Sequence, residues 1–188
     1  MQNFTHALYH LAAEPEHAAI LREEVDAIVK EDGWTKAGID RMVKVDSFLR
    51  ESQRVNGQGT CAQSIAFFRT TNADLYFNSV TMSRVALEDF TFSNGTVIPT
   101  GTTVAVPMYA IHHDKNIWPD PFTFDPYRSS RVRDQGAGDV KQQMVTTSSE
   151  FLPWGYGRHA WYVTFDFSVL PQLVPISCMH AAQDDSLL

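Results

Sequence analysis

The residues best equipped for chemistry stand in Trp154-Gly155-Tyr156-Gly157-Arg158-His159-Ala160-Trp161. Glycines at 155 and 157 let a backbone turn sharply and come close to a flat ligand. Arg158 and His159 follow at once, a cation and a titratable ring suited to facing carboxylates. A second pair is Glu51 and Arg54, which share a face if the segment is helical and can form an ion pair. On its own such a pair reads as a solvated surface contact worth less than about 1 kcal/mol. Arg128 closes a proline-rich run, Trp118-Pro119-Asp120-Pro121-Phe122-Thr123-Phe124-Asp125-Pro126-Tyr127. Prolines at this density exclude a central strand or a helix interior and leave an ordered irregular segment. His112 and His113 are neighbours whose side chains diverge, so they do not face one metal. Cys61 and Cys178 offer neither a disulfide framework nor metal-ligand spacing.

The elements that must position these residues read as helix first, then a small strand region, an α+β chain that is mainly helical. Phe4 to Leu11 looks like the end of one helix. Pro15 opens a second, Ile20, Leu21, Val25, Ile28 and Val29 recur near helical spacing, and Gly33 stops it. A third is predicted from Ile39 to about Val55, with Met42, Val45, Phe48 and Leu49 facing inward. Val85 to Val106 predicts paired short strands around Ser93-Asn94-Gly95, where Asn-Gly supplies the positive φ values of a tight hairpin. Pro99 to Thr102 makes the next turn. Ser129 to Glu150 is polar and reads as an exposed loop. In Tyr162 to Leu188 no clean period shows, and Pro171 and Pro175 exclude one continuous helix.

At 188 residues, 44% hydrophobic and 20% charged, the chain suffices for one domain with a core. A net charge of −7 argues against nucleic acid as a partner. No signal peptide is evident, and no run approaches the roughly 18 apolar residues that cross a bilayer. The chain by itself reads as soluble and cytoplasmic.

Three motifs, in order, resemble the cytochrome P-450 superfamily in the form seen in fungal members. They are Glu51-Ser52-Gln53-Arg54, then Trp118 to Arg128 as W-x-D-P-x-x-F-x-P-x-R, then the loop from Trp154 as aromatic-x-x-Gly-x-His/Arg-x-Cys-x-Gly. The resemblance implies the C-terminal portion of that fold, incomplete: helices, a small β-hairpin region, a long irregular meander and the start of the haem loop. It implies that Glu51 and Arg54 join Arg128 in a buried network beneath that loop. It makes Trp154, Gly155, Gly157, Arg158 and His159 haem-binding, with His159 as partner of a propionate, and it makes Thr103 to Met108 a strand lining the haem pocket. The iron-ligating cysteine falls at position 161, where this chain has Trp161, so neither a catalytic residue nor the metal ligand is intact. Indole offers an N–H donor and no ligand lone pair.

The whole chain, 1–188, is then one partial domain of the family with two departures. Members run from R-V-N-G almost directly into a strand like Thr81-Met82-Ser83-Arg84, whereas here the segment 59–80 intervenes, as an insertion or a retained intron. After Trp161 the expected Cys-Pro-Gly-Arg-Phe and long helix are replaced by the tail 162–188. The activity implied is haem-dependent monooxygenation of an apolar small molecule, of the kind found in secondary metabolism, with O2 and electrons from an NADPH-dependent reductase. The family's place is the endoplasmic reticulum membrane, through an N-terminal anchor, and most of its oxygen-activating helix is expected upstream of Met1. A truncated or aberrant, non-catalytic form is the first reading. The alternative is a binding or interaction protein derived from that fold, in which a neutral His159 coordinates iron without oxidation. A soluble α+β domain with accidental matches is the third, and the order of the three motifs opposes it.

Overall fold

The computed structural model describes residues 2–56, 82–136 and 142–157. Helix α1 (Gln2–Ala13) is followed directly by α2 (Pro15–Asp32). Pro15 sits at the start of α2, where its missing N–H is no loss. Gly33 ends it at φ 66, ψ −168, a conformation open in practice to glycine alone.

The helix expected from Ile39 to Val55 is two helices, α3 (Lys36–Asp40) and α4 (Val43–Val55). Thr35 caps α3 by accepting from the Gly38 N–H at 3.1 Å. Met42 then takes φ −75, ψ 69, and the Val43 N–H bonds back to the Arg41 carbonyl at 2.8 Å, an inverse γ-turn. Met42 has no oxygen with which to cap α4. Glu24 of α2 supplies one instead, its carboxylate accepting from the Lys44 N–H at 2.9 Å and the Val45 N–H at 3.0 Å. The break is therefore stabilised from a neighbouring helix, which periodicity within the segment does not reveal.

The core lies among α1, α2 and α4. Ala7, Leu11, Leu21, Val25, Ile28, Ile39, Met42, Val45, Phe48 and Leu49 are buried together, with Met144 from the other end of the chain. Phe124 and Tyr127 pack against them.

The strand region is a nested hairpin. Outer strands β1 (Met82–Val85) and β4 (Thr103–Val106) pair antiparallel, Met82 opposite Val106, and inner strands β2 (Phe90–Thr91) and β3 (Val97–Ile98) pair likewise. The tip differs from the expected Asn-Gly turn: only Gly95 has positive φ, at 85. The Gly95 N–H bonds to the Phe92 carbonyl, and the Phe92 N–H to the Thr96 carbonyl, each at 2.9 Å. That is a type I turn closed by a left-handed glycine, the three-residue hairpin loop. The second turn is held by Asp89, which accepts from Thr100 N at 2.7 Å and Thr100 Oγ1 at 2.8 Å.

Two further expectations are corrected. The apolar strand ends at Val106; Pro107, with no N–H to continue a ladder, stands at φ −78, ψ 78 just before a short helix, α5 (Met108–His112). The stretch after Tyr127 is not simply an exposed loop. It begins with α6 (Arg128–Asp134), whose Ser129 and Ser130 are buried, and Met144 farther on is fully buried. The Ser130 N–H donates to Ser47 Oγ of α4 at 3.1 Å, so this helix lies against α4. No helix among the described residues is long and apolar enough to cross a membrane.

Candidate functional site

Among the described residues Arg54 is the largest fully buried side chain, 1% exposed, and every N–H of its guanidinium is used. Nε and Nη2 donate to the two carboxylate oxygens of Glu51, each at 2.8 Å. Nη1 donates to the carbonyls of His112 and Pro121, both at 2.7 Å, and Nη2 also reaches that of Thr123 at 3.3 Å. Five donors meet five acceptors, which is the condition for burying a guanidinium at tolerable cost. Glu51 is saturated as well, since its Oε1 takes the Asp125 N–H at 3.1 Å and Arg128 Nε at 3.2 Å.

The structure thus brings Glu51, Arg54 and Arg128 together, the last from α6 and the first two from α4. Arg128 continues outward to the carbonyls of Pro119, at 2.5 Å, and Asp120, at 3.4 Å. These carbonyls belong to a turn in which Asp120 holds φ 47, an unusual value for a residue other than glycine. The proline-rich run lacks backbone donors at its prolines, so it is held by arginine N–H groups from outside rather than by a ladder.

Farther along α4 the same face carries Asp46 and Arg50, at four-residue intervals before Arg54. Arg50 Nη1 donates to the carbonyls of Gln143, at 2.6 Å, and Thr146, at 3.3 Å. Its guanidinium carbon lies 3.7 Å from the centroid of the Phe151 ring, a cation–π contact. Burial pushes the Arg50 pKa down to about 10, so it is still a cation at neutral pH. Asp46 accepts from the Met144 N–H at 3.1 Å and pairs with Arg133 of α6. Burial raises the Asp46 pKa, with Arg133 and the Met144 N–H opposing.

Sequence reasoning overlooked Asp46, Arg50 and Arg133. It also set aside His112, whose ring is wholly buried. His112 stacks on Phe151, with centroids 5.4 Å apart and planes 19° from parallel. It bonds to both Arg54 and Leu152. A histidine paired in sequence with another, and with no carboxylate motif, gave no sign of this.

The loop itself is described as far as Gly157. Phe151 and Leu152 are buried, and Trp154 Nε1 donates to the Met144 carbonyl at 3.0 Å. Gly155 and Gly157 stand at φ 80 and 75, and an added Cβ at Gly157 would meet nothing within 4 Å. Backbone conformation, not crowding, is what calls for glycine there. Arg158, His159 and Trp161 lie outside the described residues, as do the segment 59–80 and the tail 162–188. A cleft of ≈ 510 Å³ opens beside the loop, lined by Arg50, Trp118, Arg128, Ser148, Glu150 and Tyr156 among others. Ile117, Trp118, Pro119 and Val132 share its wall with the charges and hydroxyls, so the cleft is of mixed character.

Comparison with known proteins places this arrangement. The sequence profile of the family described as Cytochrome P450 matches residues 75–160. The chain is 42% identical over 157 residues to Cytochrome P450 monooxygenase 151 of Postia placenta, covering 84% of this chain and 28% of that protein. It is 36% identical to Cytochrome P450 monooxygenase CYP512U6 of Ganoderma lucidum, with 83% and 27% covered. Identity to Cytochrome P450 monooxygenase janQ of Penicillium janthinellum is also 36%, with 84% and 28% covered. The chain therefore spans less than a third of the length of these curated relatives.

Proposed function

Because the chain belongs to the cytochrome P450 superfamily, we propose that it is the C-terminal portion of a fungal-type haem-thiolate monooxygenase, in a form that performs no oxygenation itself. The observation that carries this reading is the tryptophan at position 161, in the place of the iron-ligating cysteine. The family profile ends at residue 160, one residue short of it. Haem is the group the family implies, and the donor set does not fit it: indole has no lone pair to give a metal. The next sulfur along the chain, Cys178, follows Pro171 and Pro175 with no glycine turn before it. Metal ligation needs placement within about 0.2 Å.

The packing supports a scaffold role for what is present. Glu51, Arg54 and Arg128 join α4, the proline-rich run and α6, while Asp46 and Arg50 fix the approach to the loop. For the longer protein that such a portion completes, we propose an apolar small-molecule substrate, O2, and electrons from an NADPH-dependent reductase. Attachment to the endoplasmic reticulum membrane belongs to the same proposal. The segment 59–80 and the tail 162–188 are proposed as the chain's departures from that protein.

The test is a reduced, CO-treated absorption spectrum of the chain after loading with haem. The expected result is the absence of a thiolate-type band. Trp161→Cys alone is expected not to restore it, because the Pro-Gly turn that should follow is also missing. A thiolate-type band in the unaltered chain, abolished by Cys178→Ser, would overturn the reading and make Cys178 the ligand.

A further inference from the structure

We propose that His112 is the positioning residue through which the Glu51–Arg54 pair sets the entry of the loop at Phe151-Leu152, and that it does so only as the neutral Nδ1–H tautomer. The importance of that entry rests on reading residues 151–161 as the haem loop. The tautomer and the contact do not.

The tautomer follows from the partners. The Leu152 backbone N–H points at His112 Nε2 at 3.0 Å, and since a backbone amide only donates, Nε2 must accept. Nδ1 faces the Arg54 carbonyl at 3.2 Å, and since a carbonyl only accepts, Nδ1 must carry the hydrogen. Arg54 answers in kind, donating from Nη1 to the His112 carbonyl at 2.7 Å. His112 and Arg54 thus bind each other's backbone, and the remaining ring nitrogen reaches the loop. The ring face meets Phe151, which Arg50 also contacts. A phenylalanine at 112 would keep the stack and lose both hydrogen bonds.

Protonation would undo the contact, because an imidazolium has two donors and nothing to offer the Leu152 N–H. The surroundings oppose it. Burial pushes the His112 pKa down to about 4, helped by Arg54 and Arg50 from α4 and by His113 beside it. The Arg54 carbonyl pulls the other way, and the loop residues that touch the ring, Phe151 and Leu152, carry no charge. The ordinary histidine value is 6.5. The stability this residue gives the closed loop is therefore complete above pH 6.5 and lost as pH falls toward about 4, the unfastened state taking the proton first.

Nitrogen-15 spectra of the histidine rings and amide hydrogen exchange on the intact chain, without haem, test this. At neutral pH, His112 should show the Nδ1–H tautomer, the reverse of the form usual for free histidine. Leu152 protection, corrected for intrinsic exchange, should fall about tenfold for each pH unit between 6.5 and 4. In His112→Phe that protection should already be low and independent of pH over the same range, while amides within α4 stay protected. An Nε2–H tautomer, a ring titrating near 6.5, or unchanged Leu152 protection in a folded His112→Phe would overturn the proposal. Should that variant not fold, the tautomer and the slope in the unaltered chain decide alone. Since no haem is present, failure here is separable from failure of the spectroscopic test above.

Discussion

A buried arginine tolerates little substitution when every donor is spent. Arg54→Lys keeps the charge and most of the stem but replaces a planar fork of five N–H groups with three donors on a flexible chain. It cannot satisfy both Glu51 oxygens and the carbonyls of His112, Pro121 and Thr123. Breaking a buried pair costs about 3–5 kcal/mol, so Arg54→Lys should lower the unfolding free energy by an amount near that range, read as a fall in the urea midpoint by that energy divided by the m value. Arg41→Lys is the control. That arginine pairs with Glu31 and Asp32 at half exposure, and the midpoint should stay where it is. Equal midpoints for the two variants would mean that the inner network contributes little to stability. The Glu-x-x-Arg spacing was legible in the sequence; what makes it matter was not. Five of the groups that Arg54 and Arg50 engage are backbone carbonyls 58 to 96 residues away, and a carbonyl has no letter in a sequence. Asp46 and Arg50 are obscured for the same reason, looking like ordinary charges on a surface helix until Met144 and Gln143 are placed against them.

Among the elements, those whose limits are local were readable and those set by a distant group were not. Pro15 and Gly33 mark the ends of α2 in the sequence and in the fold. The γ-turn at Met42 was missed because its support, Glu24, lies on another helix. Burial raises the Glu24 pKa, and the Lys44 and Val45 N–H groups oppose the rise, as expected of a carboxylate serving as a cap. The hairpin was legible as a hairpin, but the turn type was not, since Asn94 does not adopt positive φ. Gly33 gives the sharpest test at this scale. Open space surrounds a Cβ built there, so packing predicts that alanine is harmless. Backbone geometry predicts otherwise: φ 66 with ψ −168 lies outside the left-handed region that asparagine tolerates. Gly33→Ala and Gly33→Asn should each cost about 1–3 kcal/mol, by chemical denaturation. Asparagine should be no better than alanine. A clear advantage for asparagine would mean that the true conformation is left-handed helical and the cap an ordinary one.

At the scale of the molecule, the apolar side chains among the described residues divide unequally between two regions. The helices bury most of theirs, Tyr9, Ile20 and Tyr109 being the exposed exceptions, and the nested hairpin does not. Val85 is 55% exposed, Leu87 86%, Phe90 54%, Phe92 45% and Val97 56%. None of the described strand residues is buried, and the Phe90 and Phe92 rings meet each other edge to face at 5.0 Å rather than a core. Apolar surface gathered in this way is what self-association or a covering partner removes from water. Among the described residues each strand pair has no further strand beside it, which adds edge backbone groups to the same region. The net charge of −7 opposes association at low salt, and screening weakens that opposition as the Debye length falls to about 10 Å at 0.1 M salt. The chain should therefore be largely monomeric in dilute, low-salt solution and form oligomers as salt or concentration rises. Light scattering across a salt series will show it. Leu87→Lys with Phe90→Lys should move the onset to higher concentration without changing the helical signal in circular dichroism, because neither side chain touches the helical core. A double variant that associates as readily as the unaltered chain would place the adhesive surface elsewhere than on the hairpin.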